Sequence, residues 1–305
     1  MRRAVVDVGS NSVLLVVAER TGDGWQTIAE SSQVTGLGTD TRATGLLRQD
    51  AQERTLTAVQ QAFARAAGLS APCMAAATMA VRIATNADEF LTAARRQGTP
   101  VIVLSGEDEA RLGLESVMND REFQSYERIT VIDPGGHSTE LTTAARTPDG
   151  TKTLFSKSFP VGALALRDGP MGADSPNSAA RFSASFELDA QLDLDYEPGF
   201  AGVAVALGAS ATNLVTVRER MTQWDAERVH GQRLTYEEVS KSAAWMSELT
   251  EAERAKIVGL EPGREKTIHI GALILERFMN AVHVSECLVS TRGWRHALLD
   301  FNGEV

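Results

Sequence analysis

Two short stretches hold residues that could do chemistry together. Asp7-Val-Gly-Ser-Asn-Ser12 follows the apolar run Ala4-Val-Val6, and Asp133-Pro-Gly-Gly-His-Ser-Thr-Glu140 follows four β-branched residues, Ile129 to Ile132. In each, an aspartate ends a run that reads as a buried strand. Glycine and small hydroxyl or amide residues come next. Glycine lets backbone N–H groups approach an anion closely, and hydroxyls add donors. A carboxylate at the strand end can hold a divalent cation that a phosphate also binds. One such stretch alone reads equally well as a Gly-rich hairpin whose Asp and Ser cap the turn. Two copies are harder to reach by chance, and they point to two similar lobes, each presenting a phosphate loop to a shared cleft.

The surrounding elements must position these loops. Strand patterns cover residues 4–18 (with the first loop as a turn), 25–30, 74–77, 101–104, 154–159, 202–208 and 288–290. Helical spacing covers 48–67, a segment through Ala94, part of 182–194, and 268–279, and a last helix opens at Gly293. Antiparallel strands followed by alternating strands and helices give an α/β sheet. Ser105 and Asp108 resemble a capping box, which accounts for the acids around them but leaves Glu109 over. A carboxylate there, beyond a strand end, faces the crevice where α/β sheets bind ligands. Gly208-Ala-Ser-Ala-Thr212 is a third small-residue loop opening a helix. Taken alone, Gly208 and Ser210 serve close helix–strand packing better than an anion contact. Residues 167–181 read as a polar loop, 229–238 as a turn and helix start, and Thr235 with Glu238 as its capping box.

Bulk properties narrow the function. The 305 residues suffice for two cores, with 43% hydrophobic and 23% charged residues. A net charge of −10 and a pI near 5.1 disfavour non-specific nucleic acid and anionic membranes. An anionic substrate would need a metal ion or a locally basic cleft. Cys73 and Cys287 have no metal-ligand spacing and read as core thiols, and His230, His269, His283 and His296 read as structural. An early acidic residue and the lack of a long apolar run leave no signal peptide or membrane span, so a cytoplasmic location is expected.

The ordered set Asp7–Ser12, Arg82 with Asn86, Ser105–Arg111, Asp133–Glu140, Gly208–Thr212, His230-Gly231, and Val289-Ser290 with Gly293 and Arg295 resembles the exopolyphosphatase and guanosine pentaphosphate phosphatase family over nearly the whole chain. The resemblance implies an α/β fold of two actin-like (ribonuclease H-like) lobes with a cleft between them. The lobes are expected at 1–117 and 118–305, with the last helix packing back on the first. It implies hydrolysis of the terminal phosphate of polyphosphate, or of the 5′ phosphate of guanosine pentaphosphate, with Mg²⁺ or alternatively Mn²⁺. By the same resemblance, Glu109 orients and deprotonates water and Glu140 is a second catalytic glutamate. Asp7 and Asp133 face metal and phosphate. Gly9, Ser10, Asn11 and Ser12, with Gly135, Gly136, His137 and Ser138, form the two phosphate loops, and Arg82 near the cleft, Gly208 and Ser210 are further phosphate contacts. A homodimer is the family prior.

The chain also departs from the family pattern. His137 replaces a loop glycine, adding a group that donates to phosphate or blocks it. Pro134 replaces an apolar strand-end residue and Ala211 another glycine. Gly36 and Ala165 stand where arginines are expected, and losing two cations weakens the hold on a long polyanion. Short-chain polyphosphate therefore fits better than long. The alternative is a weakly active or inactive sensor of the same ligand; a sugar or acid kinase ranks third.

Overall fold

The structure is a computed structural model describing residues 1–22, 24–192 and 194–300. Met1–Leu112 together with the chain from Trp294 forms one compact unit, and Gly113–Gly293 forms the other. The change of unit falls inside a helix, a few residues before the 117/118 boundary expected from the sequence. Residues 301–305 of the expected second lobe lie outside the described residues.

The first unit contains β1 (Arg2–Val8), β2 (Ser12–Thr21), β3 (Gly24–Val34), α1 (Thr41–Thr44), α2 (Gln49–Gly68), β4 (Cys73–Ala77), α3 (Met79–Ile83), α4 (Ala87–Arg96), β5 (Val101–Val103) and the start of α5 (Gly106–Met118). Its sheet runs β3-β2-β1-β4-β5. The β1–β2 and β2–β3 pairs are antiparallel, and β1–β4 and β4–β5 are parallel. Both faces are covered. Val6, Val8, Val13 and Leu15 pack with Val59 and Ala62 of α2, and Val5, Val16 and Ala18 pack with Leu112, Trp294 and Leu298. Burial on two sides is why β1 reads as an unbroken apolar run.

The second unit contains β6 (Arg128–Pro134), β7 (Thr139–Thr147), β8 (Gly150–Phe159), α6 (Ala163–Arg167), α7 (Ser178–Gln191), β9 (Val203–Ala206), α8 (Gly208–Arg218), α9 (Ala226–Val229), β10 (Arg233–Thr235), α10 (Tyr236–Glu248), α11 (Glu251–Arg254), α12 (Ile268–Ala281) and β11 (Glu286–Val289). The chain then enters α13 (Trp294–Ala297) of the first unit. The sheet order is β10-β11-β9-β6-β7-β8. An antiparallel meander, β6-β7-β8, is followed by parallel β6-β9-β11, the plan of the first sheet with one added edge strand. This repeated mixed sheet is the architecture of two actin-like lobes.

Two local readings change. Thr235 and Glu238 do form the capping box, with Glu238 N–H donating to Thr235 Oγ1 at 3.2 Å. The residues just before it are not only a turn, however. They form β10, recruited by pairing with β11. The polar segment 167–181 becomes helical from Ser178, because Asn177 accepts from the Ala180 N–H at 2.9 Å as an N-cap. Among the described residues no helix is long and apolar enough to cross a membrane.

Candidate active-site residues

In the first unit, Asp7 lies near the end of β1 and is 8% exposed. The chain turns tightly after it, with Gly9 N–H donating to Ser12 O at 2.9 Å. A Cβ on Gly9 would stand 3.1 Å from that same oxygen. The loop is pinned from outside. Gly38 N–H donates to Ser10 O at 2.7 Å, and Thr35 and Gly36 N–H both donate to Asn11 O at 3.0 Å. Ser10 Oγ accepts from the Ala80 N–H of α3 at 3.2 Å. Position 36, where the resemblance suggests an arginine, is thus bonded directly to the loop.

Glu109 sits in the first turns of α5. Ser105 Oγ accepts from Asp108 N–H at 3.0 Å and donates to its carboxylate at 2.6 Å. Those bonds, with Arg111 adding to them against a burial penalty, hold the Asp108 carboxyl below its ordinary pKa. Ser105 and Asp108 are therefore committed to the helix start, while Glu109 is turned elsewhere. Asp7 is two residues from Val5 on one sheet face, and Glu109 is one helical turn from Leu112. Val5 and Leu112 share one apolar cluster, so the two carboxylates belong to the facing surfaces of strand and helix. Glu109 is 7% exposed and its carboxylate is ion-paired with Arg82 of α3. Arg82 Nη1 also donates to Leu104 O at 2.6 Å. Arg82, expected among the phosphate contacts, is thus paired with Glu109 and with the chain at Leu104.

In the second unit, Asp133 and Glu140 are direct partners in the β6–β7 register. Directly opposed residues project to the same face with Cβ atoms about 5 Å apart. Ser158, opposite Glu140 on β8, donates to Glu140 Oε1 at 2.7 Å. The loop repeats the first one: Gly135 N–H donates to Ser138 O at 2.8 Å. Its other side rests on α6, with Ala163 N–H to Gly135 O at 3.0 Å and Leu164 N–H to Gly136 O at 2.7 Å. Gly162 makes this approach possible, since a Cβ there would lie 2.4–2.5 Å from Gly136 C and O and from His137 N.

Gly208 adopts φ +76°, and its Cβ position would lie 3.0 Å from Asp133 Oδ1. A Cβ on Gly271 of α12 would fall 2.1 Å from Ser210 Oγ. The loop at 208–212 therefore packs two helices closely and passes beside Asp133. His137 is fully buried, with its ring closed to solvent.

Ser158 and Gly162 are sequence positions that carried no signal as site residues. Their roles appear only once β8 and α6 are placed beside the loop. His230, read as structural, lies 3.3 Å from Asp120, which Arg292 also approaches at 3.4 Å. Burial pushes the Asp120 carboxyl up, but these partners outweigh it and leave it below the ordinary range. The cluster anchors the 290–292 segment, since Thr291 N–H donates to His230 Nδ1 at 3.3 Å.

Among the described residues no group of three or more His, Cys, Asp or Glu side chains comes together as a metal site. Asp133 and Glu140 nonetheless supply two hard oxygen donors side by side. That suits Mg²⁺, which takes one or two protein carboxylates and fills its other positions with water and phosphate oxygens.

Two actin-like lobes, each carrying a strand-end aspartate and a tight glycine loop at the corresponding place, define a protein of the phosphate-handling actin-like class. The Ppx/GppA phosphatase family model matches residues 15–301, and the chain belongs to that family. Exopolyphosphatase 1 of Mycobacterium tuberculosis is 29% identical over 310 residues, covering 98% of this chain and 87% of that protein. The crystal structure of the Aquifex aeolicus Ppx/GppA family member is also 29% identical, with a TM-score of 0.79 over 98% of this chain and 96% of that one. An exopolyphosphatase structure from Cytophaga hutchinsonii, 18% identical and covering 98% of this chain and 96% of that one, shares the fold with a TM-score of 0.85.

Proposed function

We propose that this protein is an exopolyphosphatase, releasing terminal phosphate from inorganic polyphosphate of short chain length or from guanosine pentaphosphate. The observation that carries the reading is Glu109: a nearly buried carboxylate, left over by the capping of α5, on the helix surface that faces Asp7 and its glycine loop.

The loop backbones at Gly9–Ser12 and Gly135–Ser138 bind phosphate oxygens. Asp133 with Glu140 in the second unit would hold Mg²⁺ or Mn²⁺, Asp7 in the first is a further hard oxygen donor, and the ion would supply charge neutralisation. Glu109 takes a proton from water as its oxygen bonds to the terminal phosphorus. The bridging P–O bond breaks, and its electron pair leaves with the shortened chain. Ser158 fixes the orientation of Glu140 through its hydroxyl. The enzyme works as a cytoplasmic homodimer.

Phosphate release from tripolyphosphate, long polyphosphate, guanosine pentaphosphate and ATP, with Mg²⁺ and with Mn²⁺, tests this reading. We expect release from tripolyphosphate that is lost in Glu109→Gln. Release that persists undiminished in Glu109→Gln rejects Glu109 as the base. The sensor reading draws on the Gly36 contact with Asn11, where an arginine would add a cation at the loop. Tight tripolyphosphate binding without turnover would favour it.

A further inference from the structure

We propose that the exposed face of α7 is where two copies of this chain join, their helices antiparallel about a two-fold axis at the level of Ala184. The inference rests on the homodimer named above and assigns its surface.

Phe182 and Phe186 are 73% and 70% exposed, the two most exposed large hydrophobic side chains among the described residues. They lie four apart on one face of α7. Ala184 and Leu188, on the opposite face, are fully buried in the core of the second unit. The helix is therefore docked without its phenylalanines, and nothing in its own packing calls for two aromatic rings in water. Ala179, Asp189 and Ala190, also exposed, continue the stripe at three- and four-residue spacing. Arg277 of α12 donates to both oxygens of Asp189, at 2.8 and 2.7 Å, so the face is carried by a fixed helix.

The residue order says what covers the face. Around Ala184 the chain reads the same in both directions, Phe-Ser-Ala-Ser-Phe. A two-fold interface requires that where residue i meets j, j also meets i. About Ala184, Phe182 comes level with Phe186 of the second copy, and Phe186 with Phe182. The two rings are offset by roughly 40° around each helix, so they pass side by side. Ser178 comes level with Ala190 of the second copy, and these small residues let the backbones approach. Charges match as well. Arg181 falls on the same flank as Asp189 of the second copy, about 3 Å along the axis from its level. A carboxylate that accepts from Arg277 has lone pairs left for a second guanidinium.

A membrane is the poorer occupant. A surface-seated helix needs Lys and Arg along its polar face, whereas α7 sets Arg181 against Glu187 and Asp189. Four rings with the small residues between them bury on the order of 1,000 Å², the low end for a specific interface, so a dimer of about micromolar affinity is expected.

Sedimentation velocity of the native protein across micromolar concentrations should show monomer and dimer in exchange. Phe182→Ser combined with Phe186→Ser should weaken the dimer at least about 100-fold while far-UV circular dichroism stays native. Ser183→Cys keeps both rings and sets a reactive thiol near its own copy across the axis. A short bismaleimide should join those chains, but not the native ones, whose Cys287 is buried and Cys73 half-buried. A double serine variant that dimerises as tightly as native protein refutes this face and leaves the homodimer to another surface. Native protein that is monomeric throughout removes the homodimer and the face together. A native monomer that pellets with mixed phosphatidylcholine and phosphatidylserine vesicles, where the double variant does not, gives the face to a membrane and overturns the proposal.

Discussion

Asp133 and Glu140 stand directly across from each other at the end of the β6–β7 ladder, and Ser158 on the next strand donates to Glu140 at 2.7 Å. Two like charges on one face of a sheet repel, and a divalent cation relieves that repulsion. Asp133→Asn and Glu140→Gln keep shape and hydrogen bonding while removing one charge each. Each should lower phosphate release by roughly 10²–10⁴-fold and raise the Mg²⁺ concentration needed for half-maximal rate. A Mg²⁺ titration of rate checks both, and an unchanged half-maximal concentration would count against this pair as ligands.

Gly162 is 2.4–2.5 Å, at the position of an added Cβ, from backbone atoms of Gly136 and His137. Backbone cannot turn aside as a flexible side chain can. Gly162→Ala should therefore push the second loop off α6, costing about 1–3 kcal/mol of stability. Turnover should fall more than stability alone accounts for, because the loop itself moves. Urea unfolding and phosphate release on the same preparation separate the two effects; native stability with native turnover would exclude the clash.

Burial, aided by Arg254 and Arg167, pushes the His269 imidazole down from 6.5 to about 3. Neither ring nitrogen has a hydrogen-bond partner among the described residues. Between those two values the unfolded chain binds a proton that the folded protein does not. Stability therefore falls as pH drops through that window, and nothing changes above it. From pH 7 to pH 5 the loss from this one residue is about 2 kcal/mol. His269→Leu should remove that part of the acid sensitivity, seen as a flatter stability difference between pH 7 and pH 5. The same slope in variant and native protein would refute it.

Burial raises both thiols, Cys73 and Cys287, to about 12. The thiolate is the reactive form, so each should be inert at neutral pH. Native protein should react with a chromogenic disulfide reagent far more slowly than free cysteine, and both thiols should titrate at once in denaturant. Rapid native labelling would contradict the core position of Cys287 and the half-buried seat of Cys73 against the first unit's core.

The duplication was legible in the residue order. Asp7 and Asp133 each end an apolar run and precede glycine, and the two sheets do share one plan. The Thr235–Glu238 box was equally plain, because capping is a contact between residues three apart. Glu109 could be singled out by subtraction, since Ser105 and Asp108 already explained the helix start.

The sequence by itself thus determined which strands end in carboxylates, where the glycine turns fall, and which glutamate the helix cap leaves over. These depend on propensity and spacing within a few residues, which local chemistry dictates. The tertiary structure alone decided that Arg82 meets Glu109 across 27 positions, that Ser158 holds Glu140, that His137 is buried, and that Gly162 lets α6 press on the second loop. Those relationships depend on strand register and on the packing of segments distant in the chain. Spacing carries no information about either, because the same side chain can face solvent, core or site according to what is laid against it.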